Sequence, residues 1–209
     1  STSGRLSAMV ERQLNERWTL AAGGAFRHAA IETVDSDDHF GLLSSPIEAA
    51  YDSRNDPLNP TAGTGFGLHL APTVDIANRG VSYLRNRAEW NTAIRVFTSP
   101  RVVVAARAVV GGIWGEGLDA IPADERFYAG GGGSVRGYDY QELAPRENGQ
   151  SVGGRSLFEG SLELRWRMTE RFGVVGFVDG GQAFENSNPD FDQALGYGAG
   201  LGIRYFTPI

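Results

Sequence analysis

Two acidic segments contain residues that could bind a metal ion. Asp52 and Asp56 stand four positions apart with Arg54 between them, and carboxylates at this spacing can chelate a cation. Two prolines, an asparagine and a glycine follow directly, which favours a polar turn closed by local hydrogen bonds. The second segment consists of Asp35, Asp37, Asp38 and His39. Calcium needs more oxygen ligands in a defined loop pattern, so we expect a solvated loop there.

A run of four glycines at residues 130–133, followed by Ser134, could form a phosphate-binding loop or present a nucleophile. A phosphate loop would end in Gly-Lys-Ser/Thr and lead into a helix, and neither signal is present. A nucleophile elbow would have glycine two residues after the serine, where this chain has Arg136. The histidines lack zinc-binding spacing, and the chain has no cysteine. We therefore expect no enzyme, with no catalytic residues, no metal and no cofactor.

All 19 basic residues are arginines, and with 25 acidic residues the formal net charge is -6. This balance argues against nucleic acid as a partner. Among the arginines, Arg136 lies in the glycine-rich sequence FYAGGGGSVRGYDY of residues 127–140. The glycines allow the chain to fold sharply back on itself. A guanidinium buried at the tip of such a loop would need carboxylate partners, because an unpaired buried charge is costly.

The elements around these residues are predicted to be β-strands, because apolar and polar side chains alternate with a period of two. Leu162 and Leu164 lie opposite Glu163, and Asp179 shares a face with Phe177. Glu163 and Asp179 are therefore predicted to lie on the polar face of the sheet. The same alternation predicts about nine strands, at residues 6–14, 18–32, 40–54, 65–75, 84–96, 102–114, 161–168, 172–184 and 195–206.

Two architectures fit this pattern. A soluble sandwich or barrel would bury the apolar faces, whereas a transmembrane barrel would turn them towards lipid around a polar lumen. No stretch approaches the roughly 18 apolar residues of a membrane helix, which excludes a helical membrane protein. Long strands and the alternation of short turns with longer loops favour the transmembrane barrel. Aromatic residues near strand ends could form interfacial girdles: Trp18, Trp90, Trp114, Trp166, Tyr197 and Tyr205.

Several motifs occur in an order that matches a known family. The loop sequence VRGY at residues 135–138 is followed by SVGGR and GSLELRW, and then by GFVDGGQAF at residues 176–184. Upstream, residues 51–65 read YDSRNDPLNPTAGTG. Together these motifs resemble those of the BamA/TamA superfamily of outer-membrane barrels. The resemblance covers residues 49–209 well and the first forty-odd residues only by their pattern.

The resemblance implies an all-β fold, an antiparallel transmembrane β-barrel of sixteen strands. This chain would supply about nine of them, the sixth to the fourteenth, and would be an incomplete fragment. Residues 1–209 would form one partial barrel, with a long loop at about residues 115–155 directed into the lumen. Two more strands would follow in the complete protein.

The resemblance also implies a set of contacts at the tip of the loop. The motif residues are Val135, Arg136, Gly137 and Tyr138, and their lumen partners are Glu163, Phe177, Asp179 and Gly181. Arg136 would pair with Asp179, with Glu163 as a second acceptor and Phe177 packed beside them. A charge-assisted, two-pronged contact fixes orientation as well as energy. This cluster would hold the loop in place, and it could also set how the barrel opens.

By resemblance, the complete protein resides in the bacterial outer membrane and assists the insertion or secretion of β-barrel or autotransporter proteins, with a TamA-like role favoured. Its partners would be the lipid bilayer, unfolded clients and a periplasm-spanning protein. One alternative is a barrel that serves as the pore of a two-partner secretion system or as the anchor of a patatin-type hydrolase. Domains upstream of Ser1 would discriminate between these functions. The other alternative is a soluble β-sandwich binding domain, which would stay folded without detergent.

Overall fold

A computed structural model describes residues 2–32, 37–77 and 81–207 of the chain, with side chains at 4–28, 41–77 and 81–207. The acidic segment formed by Asp35, Asp37, Asp38 and His39 lies outside these described side chains. The strands are β1 (Thr2–Gln13), β2 (Trp18–Glu32), β3 (Asp37–Ser44), β4 (Ile47–Asp52), β5 (Gly63–Asp75), β6 (Ser82–Phe97), β7 (Arg101–Trp114), β8 (Arg146–Glu147), β9 (Gln150–Ser151), β10 (Ser156–Arg167), β11 (Phe172–Phe184) and β12 (Gly196–Tyr205).

Ten of the described strands form one antiparallel sheet, and their order across the sheet follows their order along the chain. Both β3 and β4 lie between β2 and β5, so the sheet is nine strands wide, with β1 and β12 at its edges. The expected all-β architecture of about nine antiparallel barrel strands is confirmed. Most of these strands exceed the 9–11 residues or so that cross a hydrocarbon layer at a tilt. No helix among the described residues is long and apolar enough to cross a membrane.

The predicted strand at residues 40–54 is wrong in one respect, because it is interrupted at Pro46. Proline has no N–H group to donate to the neighbouring strand, so regular pairing stops there. The Pro46 carbonyl still accepts a hydrogen bond from the N–H of Gly23 at 3.0 Å. On the other side, the N–H of Ser45 donates to the carbonyl of Pro72 at 3.0 Å. The segment therefore keeps its place in the sheet while dividing into β3 and β4.

The sheet has two chemically different faces, as the alternation predicts. The outer face is apolar and includes Leu164, Trp166, Val178, Leu201 and Ile203. Leu201 and Ile203 leave 83% and 81% of their surface uncovered by protein, as expected of side chains that contact lipid. The inner face carries charged side chains and glycines, together with apolar side chains that contact the loop. Its charged residues include Arg85, Arg107, Glu163, Asp179 and Arg204.

An oblique row of aromatic side chains crosses the outer face. Cross-strand pairing places Trp18 beside Tyr51, Tyr51 beside Phe66, and Phe66 beside Trp90. Trp18 is the first residue of its strand, whereas Trp90 lies near the middle of β6. The sequence prediction that Trp90 stands near a strand end is therefore wrong, because β6 extends seven residues beyond it.

The segment between β7 and β10 covers the inner face. It contains two short 3₁₀ helices and the small hairpin of β8 and β9, none of which the alternation predicts. Its Ile121 and Phe127 pack into a buried apolar cluster with Val109 and Ile113 of β7. Burial of these side chains stabilises the loop against one end of the sheet.

Long-range hydrogen bonds show that the inner face is concave. Arg204 of β12 donates to the side-chain oxygen of Asn59, in the turn between β4 and β5, at 3.4 Å. Five strand-to-strand steps separate β5 from β12, which is about 24 Å across a flat sheet. Arg27 of β2 likewise pairs with Asp124 and Glu125 of the loop that follows β7. Loop and turn therefore occupy part of the space enclosed by a curved sheet.

Candidate functional site

The tip of the loop after β7 is a glycine-rich turn that contains the VRGY motif. The N–H of Ser134 donates to the carbonyl of Gly131 at 3.0 Å. Gly131 and Gly137 have φ angles of 98° and 96°, a region that side chains with a Cβ rarely adopt. Between these two glycines the chain reverses and directs Arg136 towards β10 and β11.

Arg136 forms a two-pronged ion pair with Asp179 of β11. Its Nε donates to Oδ2 at 2.6 Å and its Nη2 to Oδ1 at 2.7 Å, while its backbone N–H donates to Oδ2 at 3.1 Å. The Asp179 side chain is only 1% exposed. Hydrogen bonds to Asp179, and then to Glu163, raise the pKa of Arg136 above the ordinary arginine value. The guanidinium is therefore permanently charged and held in one orientation.

Strand β10 supplies two further contacts to this guanidinium. Nη1 of Arg136 donates to Oε1 of Glu163 at 2.7 Å, and Nη2 donates to Oγ of Ser161 at 3.1 Å. Ser161 in turn donates to Oδ1 of Asp179 at 2.6 Å. The guanidinium carbon lies 3.6 Å from the centre of the Phe177 ring, a cation–π distance. The charged group is thus enclosed by two carboxylates, a hydroxyl and an aromatic face.

The other motif residues pack closely against β11 and β12. Val135 is fully buried, and a Cβ atom at Gly181 would lie 3.0 Å from its Cγ2. The Tyr138 hydroxyl oxygen accepts a hydrogen bond from the N–H of Tyr197 at 3.2 Å. The carbonyl of Arg136 contacts Gly198 so closely that no side chain would fit there. All eight residues singled out from the sequence therefore meet in one region of the inner face, and their functional role stays a prediction.

Sequence reasoning missed the extension of this cluster towards the turn after β4. Oε2 of Glu163 also accepts Nε of Arg165 at 2.8 Å and Nη2 of Arg204 at 3.2 Å. Arg165 donates to the carbonyl of Pro60 at 3.4 Å, and Arg204 reaches Asn59 of the same turn. Alternation alone places Arg165 and Arg204 on the inner face with Glu163. Nothing in the spacing indicates that the proline-rich turn folds inward to meet them.

A second polar cluster connects the glycine turn to β6 and β7. Arg107 donates to Glu89 at 2.9 Å and to Glu159 at 3.0 Å. The hydroxyl of Ser134 donates to the other oxygen of Glu159 and accepts the N–H of Gly130 at 3.0 Å. The turn is thus bonded to the sheet at two points, through Ser134 to Glu159 and through Arg136 to Asp179.

The segment around Asp52 is a turn whose carboxylates bind protein groups. Arg54 donates to both oxygens of Asp52, at 2.9 and 2.7 Å. Oδ1 of Asp56 accepts the N–H groups of Asn59 and Leu58, which lower the pKa of Asp56 and keep it ionised. Across the part of the chain that the structure describes, no group of three or more histidines, aspartates or glutamates is arranged to hold a metal ion.

Comparison with known proteins identifies related barrels. The profile of the Omp85 superfamily domain matches residues 1–209. The outer membrane protein assembly factor BamA of Nitratidesulfovibrio vulgaris is 32% identical over 116 residues, which are 53% of this chain and 15% of that protein. A SAM50-like protein of Schizosaccharomyces pombe is 22% identical over 174 residues, covering 75% of this chain and 36% of that protein.

Among solved structures, the fold is similar to that of BamA from Haemophilus ducreyi lacking POTRA domains 1–3. The TM-score is 0.82 at 16% sequence identity, and the match covers 99% of this chain and 48% of the other. The chain therefore spans about half of that solved structure and a smaller share of the curated relatives.

Proposed function

The chain belongs to the Omp85 superfamily, and we propose that it is the barrel segment of an outer-membrane protein assembly factor. The superfamily expected from the motifs and the location in the bacterial outer membrane are confirmed by the profile match and the BamA relative. The alternative of a soluble β-sandwich is wrong, since ten of the described strands form one curved sheet with the fold of a barrel. The proposal concerns the activity of the complete protein, which assists the insertion or secretion of β-barrel or autotransporter proteins. A TamA-like role remains the favoured form of that activity.

The clients are unfolded outer-membrane proteins that arrive from the periplasm. An exposed strand edge can template the addition of an incoming strand through main-chain hydrogen bonds. In this proposal the first and last strands of the complete barrel pair weakly and offer such an edge. The lipid bilayer and a periplasm-spanning protein are its further partners.

Residues 1–209 form one partial barrel in this proposal, with the loop at residues 115–155 directed into the lumen. The observation that supports it most is the ion pair of Arg136 with Asp179. It fixes the loop tip on β11, and the Arg136 carbonyl lies against Gly198 of β12. A barrel that admits a client strand must keep its lumen filled, and a loop held by a buried ion pair meets that need.

The test replaces the native protein in its host by an Arg136→Ala variant. Arg101→Ala serves as the matched control, because Arg101 is exposed on β7, outside the loop-tip cluster. We expect the amount of folded β-barrel clients in the outer membrane to fall in the Arg136 variant and to stay unchanged in the control. Heat-modifiable gel mobility measures both the clients and the folding of the variant itself. Normal client levels together with loss of one secreted soluble protein would contradict the assembly function and favour a two-partner secretion pore.

A further inference from the structure

A cavity on the inner face lies between the glycine turn and strands β6 and β7. Its volume is about 530 Å³. Four guanidinium groups line it, those of Arg85, Arg87, Arg107 and Arg126. The carboxylates in its wall belong to Glu159 and Asp124. It is separate from the Arg136 cluster, whose carboxylates Asp179 and Glu163 do not line it.

The positive charge of this cavity is only partly compensated. Arg107 pairs with Glu89 and Glu159, Arg87 pairs with Glu89, and Asp124 pairs with Arg27. In contrast, Arg85 and Arg126 have no ion pair with any described carboxylate, although the charge of Glu125, which pairs with Arg27, also attracts Arg85. Arg85 donates to the carbonyl of Glu125 at 2.9 Å and lies over the Phe127 ring. Arg126 donates to the carbonyls of Ile121 and Val152. Backbone carbonyls orient these two side chains without neutralising them.

The glycine turn forms another wall of the cavity. Gly131, Gly132 and Gly133 line it, and no group in the described part of the chain accepts a hydrogen bond from their N–H groups. Gly130 and Gly131 have positive φ angles of 104° and 98°. A Cβ atom at Gly132 or Gly133 would meet nothing within 4 Å, so the approach to this backbone is open. The turn therefore leaves room for a ligand to reach the guanidinium groups on the other wall.

We propose that this cavity binds a phosphate group. Guanidinium forks match the tetrahedral oxygens of phosphate, and an anion would add to the partial compensation of the charges of Arg85 and Arg126. The phosphate comes either as the free ion or as the monoester of a lipid or sugar headgroup. The site is independent of the proposed assembly activity.

Isothermal titration of the whole protein in detergent micelles with inorganic phosphate tests the proposal. We expect saturable binding that weakens by about tenfold or more in the double variant R85Q/R126Q, because two charge-assisted contacts are lost. The control R101Q, which removes one guanidinium outside the cavity, is expected to bind as the unaltered protein does. Glycerol phosphate is the second probe, and its binding would identify a monoester headgroup as the source. Absence of saturable binding, equal binding of acetate, or full binding by the double variant would overturn the proposal.

A measurement on the unaltered protein covers the case in which the double variant does not fold. Phenylglyoxal modifies exposed arginines, and peptide mass spectrometry locates the modified residues. We expect inorganic phosphate to slow modification of Arg85 and Arg126 and to leave Arg101 unaffected. If phosphate leaves the rate of modification of Arg85 and Arg126 unchanged, as at Arg101, the proposal is overturned.

Discussion

Gly198 of β12 lies directly against the carbonyl oxygen of Arg136, with no space for a Cβ atom between them. The inner face of β12 also has glycine at positions 196, 200 and 202. A Cβ atom at Gly196 would meet Leu143 at 2.5 Å, and one at Gly200 would meet the Phe177 ring at 2.7 Å. The loop tip therefore packs on bare backbone.

Gly198→Ala is expected to displace the loop tip. The added methyl group overlaps a backbone atom, which cannot move by rotamer change, so we expect a loss of about 1–3 kcal/mol in stability. Gly67→Ala on β5 is the matched control, because its Cβ would meet nothing within 4 Å. Urea unfolding in detergent measures both. Equal stability of the two variants would show that the contact is absent in solution.

Asp179→Asn is expected to destabilise the loop while leaving the strands paired. The substitution removes the charge of a side chain that makes three hydrogen bonds with Arg136. Loss of a partly buried ion pair of this kind costs about 2–3 kcal/mol. Trypsin cleavage after Arg146, in the exposed part of the loop, is expected to accelerate.

Asp192→Asn, in the exposed connection before β12, provides the control for that experiment. A charge exchange adds a second check, since Arg136→Asp combined with Asp179→Arg should recover part of the protection that each single reversal loses. If the double exchange is as sensitive to trypsin as the single variants, the pair is not the contact that holds the loop.

Arg165→Met is expected to release the turn between β4 and β5 from the inner face. Arg165 contacts Glu163 and the carbonyl of Pro60, and both hydrogen bonds would be lost. Hydrogen exchange of the backbone amides at residues 57–62 is expected to become faster. Arg167→Met is the control on the same strand and face, because the hydrogen bonds and ion pair of Arg167 are with residues 169 and 170 of the adjacent turn, and its guanidinium lies over Phe206. If hydrogen exchange of the amides at residues 57–62 is unchanged in the Arg165 variant, these contacts do not hold the turn inside the barrel.

Leu201→Arg is expected to impair folding into lipid vesicles. Leu201 belongs to the apolar outer face, and arginine facing lipid near the bilayer midplane costs about 2–4 kcal/mol. Leu58→Arg is the contrasting variant, since Leu58 is 95% exposed but lies in a turn between strands. The folded fraction after dilution into vesicles measures the difference. Similar folding of both variants would argue against lipid contact at Leu201.

Much of this fold can be predicted from the sequence, because strand alternation is a local property. Glu163 and Asp179 could be assigned to the polar face from their neighbours alone, and their pairing with Arg136 followed from the family resemblance. The interruption at Pro46 could have been predicted from its missing N–H. The inward course of the turn at residues 55–62 could not have been predicted from the sequence. It depends on contacts with Arg165 and Arg204, more than a hundred positions away.

The oblique aromatic row from Trp18 to Trp90 has a consequence for depth in the bilayer. Three strand-to-strand steps across strands tilted by about 45° displace its ends by about 10 Å along the membrane normal. Trp18 therefore lies near the headgroups, while Trp90 lies among the acyl chains. On untilted strands the four side chains would lie at one depth in the bilayer, whereas on tilted strands each lies at a different depth. Lipids brominated at different positions along the acyl chain should therefore quench the fluorescence of Trp18 and Trp90 to different extents.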